Sequence, residues 1–224
     1  MSLDKTKTNI IIGKEIQKYL LSNGVETPMM LNENKIYNNK EKIEVLFKEI
    51  MQLLNLNLLD DSLQETPKRI AKMYTNEVFW GLDYDNFPKI TMVENKMKYD
   101  EMVIIRDISV KSFCEHHFVP FIGSCNIAYI PNKTVIGLSK FNRIVEFFSR
   151  RPQIQERLTE QIYYALKFIL GTSNIAINIK AEHLCVKMRG VEDDNSFTIT
   201  NKLGGSFMKQ DVRQEFFNCL NISK

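Results

Sequence analysis

The sequence predicts an α+β fold: an antiparallel β-sheet backed by helices, with a helical region before it. Three observations carry that prediction. Hydrophobic residues make up 44% and charged residues 25% of the 224-residue chain, enough apolar material for one sizeable core. Before residue 99 the apolar residues recur at helical spacing. From residue 99 the runs alternate in the order β-β-α-α-β-β-α, and strands that arrive in pairs favour antiparallel hairpins with helices on one face.

The elements follow in chain order. Residues 1–40 read as a polar, partly helical segment, with a helix over 11–23 and an Asn-rich stretch over 32–40. Residues 41–224 read as the main domain, helical over 41–98 and mixed over 99–224. Ile43, Leu46, Phe47, Ile50, Leu53 and Leu54 share one face of a helix over 40–58. Thr66-Pro67 is a helix start, with Thr66 as cap and Pro67 at the first turn, and that helix runs to 79. Strands are expected over 102–113 and 121–130, punctuated by Gly123 and Pro131. Helices follow over 139–150 and 152–170, strands over 175–188 and 197–207, and a last helix over 211–220.

Composition excludes several classes. No run reaches the roughly 18 apolar residues that span a bilayer, and the N-terminal stretch lacks a signal-peptide core. A net charge of +3 is too small to argue for nucleic acid. The expectation is a cytoplasmic protein with four reduced cysteines. Of these, Cys125 and Cys219 read as small core residues.

The chain's three histidines fall in two short segments, each with a cysteine. One is Ser112-Phe113-Cys114-Glu115-His116-His117; the other is His183-Leu184-Cys185. Cys114 and His117 suit two ligands from one tight turn. His183 and Cys185, two apart in a strand, are expected to share a face. Cys114, His117 and Cys185 make a three-ligand zinc site with a fourth position for water, the catalytic arrangement. His116 and His183 then remain as proton carriers. The alternative is a closed structural site, with His116 or His183 as fourth ligand. A zinc nucleobase deaminase is disfavoured, because the chain has no His-x-Glu and no Pro-Cys-x-x-Cys segment.

A second constellation is basic. Ser139 is expected to cap the helix after Gly137-Leu138, and a helix start suits phosphate. Lys140 and Arg143 share a face there, as do Arg69 and Lys72 on an earlier helix. Arg189, four residues beyond Cys185, is expected on the same strand face. Together these residues can neutralise a triphosphate.

Cys114-Glu115-His116-His117, Gly137-Leu138-Ser139-Lys140, Gln153 to Arg157 and His183 to Gly190 closely resemble GTP cyclohydrolase I of the bacterial type. The segment Asp61 to Tyr74 does so too, and the resemblance runs in order over roughly residues 43 to 220. It implies a tunnelling-type fold assembled as a homodecamer with sites between subunits. It implies zinc on Cys114, His117 and Cys185, and acid–base work by His116 and His183. Gln155 and Ser139 would assist that chemistry. It implies that Glu156 reads the guanine N1–H and 2-amino edge, with Leu138, Ser139, Lys140, Arg143, Arg189, Arg69 and Lys72 contacting the substrate. The implied reaction opens the imidazole ring of GTP at C8, releases formate and gives 7,8-dihydroneopterin triphosphate, the first step of folate or pterin synthesis.

Overall fold

The computed structural model describes residues 3–30 and 35–222. Asn32 to Asn34 of the Asn-rich stretch therefore lie outside the described residues. The first helix, α1 (Ile10–Ser22), is capped by Asn9, whose side-chain oxygen accepts from the N–H groups of Ile11 and Ile12. It approaches the rest of the chain closely at Gly13. A Cβ there would stand 2.1 Å from the Tyr84 carbonyl oxygen, so only glycine fits. Ile16 and Leu20 of α1 are fully buried in one core with Tyr84, Phe87 and Leu166.

Two helices follow, α2 (Lys40–Leu53) and α3 (Thr66–Lys72), packed on each other. The first ends five residues short of expectation, because Asn55 adopts φ +59° and its N–H turns back to the Gln52 carbonyl. Thr66 does not cap α3: Glu65 already holds helical backbone angles and occupies the cap position. The helix predicted to reach residue 79 gives way to a π-helical turn over Met73–Val78. Only Met51 of α2 is buried, and Leu46, Ile50, Leu53 and Leu54 face outward.

The β-rich region comprises β1 (Met92–Glu94), β2 (Val103–Cys114), β3 (Pro120–Tyr129) and β4 (Thr134–Ile136). Then come α4 (Ser139–Ser149), β5 (Pro152–Gln153), α5 (Gln155–Leu170) and β6 (Ile175–His183). A single helical turn, α6 (Leu184–Lys187), leads on to β7 (Thr198–Leu203), and α7 (Gln210–Leu220) follows. The main sheet has the order β5-β2-β3-β6-β7, antiparallel except for the two-residue parallel pairing of β5 with β2. A separate ribbon pairs β1 with β4.

Three sequence expectations need correction here. The second predicted helix begins at Gln155, not at residue 152. Pro152 and Gln153 pair beside Phe113 and Cys114, and proline is tolerated on a sheet edge. The strand predicted over 175–188 stops at His183. Its neighbour β3 starts at Pro120, whose nitrogen has no hydrogen to donate, so the ladder ends there and the chain turns into α6. The strand predicted over 197–207 ends at Leu203, and Gly205–Met208 form a 3-10 turn that buries Phe207.

The helices α4 and α5 cover the face that presents Cys125, Ile127, Ile177 and Ile179. Each fully buried side chain of that size contributes about 1.5–3 kcal/mol. Ala128 and Ala176 point to the opposite face, one residue out of phase, and there join Phe207 and Phe216 of the α7 region. Helices therefore do not sit on one face only. No described helix is long and apolar enough to cross a membrane.

Candidate functional site

Three strand ends meet at one edge of the sheet. The last residues of β2, the first of β3 and the last of β6 are in register, Phe113 opposite Pro120 and Phe121 opposite His183. The turn between β2 and β3 carries Glu115, His116 and His117. It closes through Phe118 N–H to the Cys114 carbonyl (2.9 Å) and Cys114 N–H to the Val119 carbonyl (2.9 Å). Phe118 sits at φ +53°, a costly angle for a large side chain. An aromatic brace holds it there: its ring lies 5.5 Å from Phe79 and 6.1 Å from Tyr74. Phe113 completes the brace, 5.3 Å from Phe79. Phenylalanines flanking the Cys-Glu-His-His run were the sequence signal for this support, and it went unread.

The donor atoms of Cys114, His117 and Cys185 lie within 4.8 Å of one another. Cys114 Sγ is 3.9 Å from His117 Nδ1. Two thiolates and an imidazole around a tetrahedral zinc stand about 3.5–3.8 Å apart. The set can therefore hold a metal with small adjustments. His116 Nδ1 is 3.7 Å from Cys114 Sγ, yet it falls outside the group of mutually close donors. His183 is engaged elsewhere, so among the described residues three donors converge rather than four. Burial pushes the Cys185 thiol up from its ordinary pKa, and its hydrogen bond with Cys114 adds to the effect. Cys185 reaches the cluster by a route the sequence misassigned. It rides on the α6 turn and not on a strand face shared with His183. Arg189 also lies beyond the strand, and its Nη1 donates to His117 Nε2 at 3.0 Å.

His183 is held in one tautomer. The Gln155 amide nitrogen donates to the carbonyls of Ile179 and Thr198 and to Thr200 Oγ1, each at 3.1 Å. Its oxygen is thereby turned to His183, which donates from Nε2 at 2.8 Å. The ring stacks on Phe121 with centroids 4.6 Å apart. Burial lowers the His183 pKa, and the charge of Glu156 opposes that. Glu156 itself is exposed at the first turn of α5. Gln155, read from sequence as catalytic, lies buried behind His183. Two residues on, Arg157 clamps Glu115 with both terminal guanidinium nitrogens, tying α5 to the β2–β3 turn. Sequence reading missed that clamp.

The remaining basic residues stand elsewhere in the chain. Ser139 does not cap α4. Leu138 already has helical angles, and the free N–H groups of Lys140 and Phe141 bond to the Gly137 and Leu138 carbonyls. Lys140 is driven below its ordinary pKa by burial and by the charges of Arg143, Lys89 and Lys7. Among the described residues, none of Arg69, Lys72, Lys140 and Arg143 bonds to the cysteine–histidine cluster; Lys72 faces Glu77 at 3.7 Å. The sheet explains the separation. Ser139 follows β4 at the end where Tyr129 pairs with Val103, whereas Cys114 is at the other end of β2. The 11 residues of α4 bridge that gap, at about 1.5 Å of rise per residue.

Comparison with known proteins matches residues 43–221 to the family model described as GTP cyclohydrolase I. A GTP cyclohydrolase 1 from Aeromonas salmonicida is 57% identical over 206 residues, 92% of this chain and 94% of that protein. One from Yersinia enterocolitica is 55% identical over the same shares of both chains. Among solved structures, a dihydroneopterin aldolase from Burkholderia thailendensis aligns with 50% of this chain and 97% of its own, at 11% identity and a TM-score of 0.33. So low a score says nothing about what this chain does.

Proposed function

This chain belongs to the GTP cyclohydrolase I family, and we propose that Cys114, His117 and Cys185 hold the zinc ion with which it converts GTP to 7,8-dihydroneopterin triphosphate. The observation that carries this reading is the convergence of three zinc-type donors beside two histidines outside the donor set. Bound there, zinc supplies Lewis acidity and makes water acidic enough to react at neutral pH. Glu156 accepts the guanine N1–H and 2-amino hydrogens, which places C8 at the metal edge. His116 gives a proton to N7 as the ring opens. His183, with Nε2–H committed to Gln155, keeps Nδ1 to take a proton from the attacking water. Carbon 8 leaves as formate once both of its bonds to nitrogen are hydrolysed, and the amine so freed at the former N7 condenses with the ketone of the rearranged ribose, losing water. Arg189, hydrogen-bonded to His117, brings a cation to the cluster for the triphosphate.

The test is direct. Purified zinc-loaded protein incubated with GTP releases formate and, after oxidation, a fluorescent pterin. ATP, which lacks the N1–H and 2-amino donors, is not opened. GTP binding without formate would identify a zinc-stabilised nucleotide-binding module instead.

A complete site needs two chains on this reading. Lys140 and Arg143 lie at the far end of the sheet from their own Cys114, and the apolar face of α2 is left uncovered in one chain. A homo-oligomer, a decamer by the family resemblance, satisfies both. Cys114→Ser and the double variant Lys140→Ala/Arg143→Ala are each expected to be inactive. Co-refolded in equal amounts they should recover about a quarter of wild-type activity, because a symmetric assembly then pairs intact halves at that frequency. Verified hybrids with no recovered activity would refute the two-chain site and leave the metal reading standing.

A further inference from the structure

The strongest feature outside the described site is a buried ion pair between segments far apart in sequence. Arg151 is fully buried, and Glu26, from the loop after α1, has a side chain only 4% exposed. Arg151 Nη1 donates to Glu26 Oε1 at 3.2 Å, with Thr27 Oγ1 at 3.5 Å and Tyr84 Oη at 3.4 Å. Its other terminal nitrogen donates to the Gly81 carbonyl, and Tyr84 donates to the second Glu26 oxygen. The guanidinium lies over the rings of Tyr84, Phe147 and Phe148, 4.8–5.1 Å from their centroids. A second path runs through amides. Gln161 donates to the Val25 carbonyl (3.0 Å) and Thr27 Oγ1 (3.1 Å), and its own oxygen accepts from Gln153 (2.7 Å).

The two paths end on either side of Pro152, one on Arg151 and the other on Gln153. Arg151 immediately precedes β5, and its carbonyl accepts from Ser112 Oγ at 3.2 Å. Gln153 is opposite Cys114 in the ladder, and its carbonyl accepts the Glu115 N–H at 3.0 Å. A two-residue parallel strand has too few ladder bonds to hold itself in place. Something else must fix it, and the charged group directly before it, Arg151, is fully buried and paired with Glu26. We propose that Glu26 is a positioning residue for the metal ligand Cys114, acting through Arg151 and β5.

This assigns the segment after α1 a task within the reaction. Thr27, Tyr84 and Pro152 line one cavity of about 830 Å³ together with Glu115 and His116, so the network and the metal turn are two walls of one space. Loss of the Glu26 charge leaves a buried guanidinium without its counter-ion, and the short strand that follows Arg151 is free to shift. The proposal rests on the reading of Cys114 as a ligand, and the experiment separates the two.

The variants are Glu26→Gln, the milder Thr27→Val, and Phe216→Ala as a control that destabilises the opposite face of the sheet. Amide hydrogen exchange is measured on each metal-free protein. In Glu26→Gln the amides of Cys114 and Glu115 should exchange at least tenfold faster, with a smaller change of the same sign in Thr27→Val and none in the control. Zinc affinity should fall about 10–100-fold, the range for groups that orient metal ligands. In the zinc-saturated variant kcat should drop while KM for GTP stays. Unchanged exchange at Cys114 and Glu115 in folded Glu26→Gln, or the same change in Phe216→Ala, overturns the proposal. If Glu26→Gln does not fold, Thr27→Val decides by the same criteria. Should the wild type bind no zinc, the metal reading fails, and the exchange data still decide whether Glu26 positions the turn.

Discussion

Cys114→Ser and Cys185→Ser are each expected to lose bound zinc and GTP turnover together. On the proposed reading the thiolate is the ligand, and a serine hydroxyl at neutral pH offers neither the charge nor the softness that zinc selects. The two residues reach the cluster from different elements, β2 and the α6 turn, so each substitution removes one donor and leaves the other elements folded. Cys114 is buried, and its backbone N–H and carbonyl are spent on closing the β2–β3 turn, so no neighbour can take its place without breaking that turn. The loss should exceed the about 10–100-fold typical of groups behind the ligands. Elemental analysis of the purified variants gives the zinc content, and formate release gives turnover. Near-stoichiometric zinc in either variant removes that cysteine from the ligand set.

His183→Ala separates binding from chemistry. The variant keeps the three donors at Cys114, His117 and Cys185, because His183 belongs to a different bond, the one to Gln155. It should retain zinc and bind GTP. Ring opening should fall about 10²–10⁴-fold, the usual contribution of a general acid or base. The lost imidazole leaves the Gln155 oxygen without its donor and Phe121 without its stacking partner, so thermal stability should also drop slightly. Single-turnover formate release, measured with the variant saturated in GTP, isolates the chemical step. A rate within a few-fold of wild type would make His183 a structural residue and move the proton transfer to His116.

The sequence by itself determined the chemistry's raw materials. Two cysteines and three histidines in two short segments marked a candidate metal site, because metal ligation demands particular side chains, and the structure brings Cys114, His117 and Cys185 of these within 4.8 Å of one another. The alternation of β and α runs gave the α+β class, because burial periodicity is local. Ser139, Thr66 and the strand over 175–188 were misread for the opposite reason. Caps and strand ends depend on backbone angles and on whether a neighbouring strand still has an N–H to offer, and Pro120, 63 residues before His183 in the chain, decided the latter. Only the tertiary structure showed that Gln155 stands behind His183, since its partners at Ile179, Thr198 and Thr200 come from two later strands. Only the tertiary structure put the lysine and arginine of α4 at the far end of the sheet from Cys114, because the chain runs the length of β3 away from Cys114 before α4 begins. The pairing of Glu26 with Arg151, 125 residues apart, left no mark on the local pattern at all. A buried charge finds its counter-ion through the fold, and the fold is the sum of packing that no single segment contains.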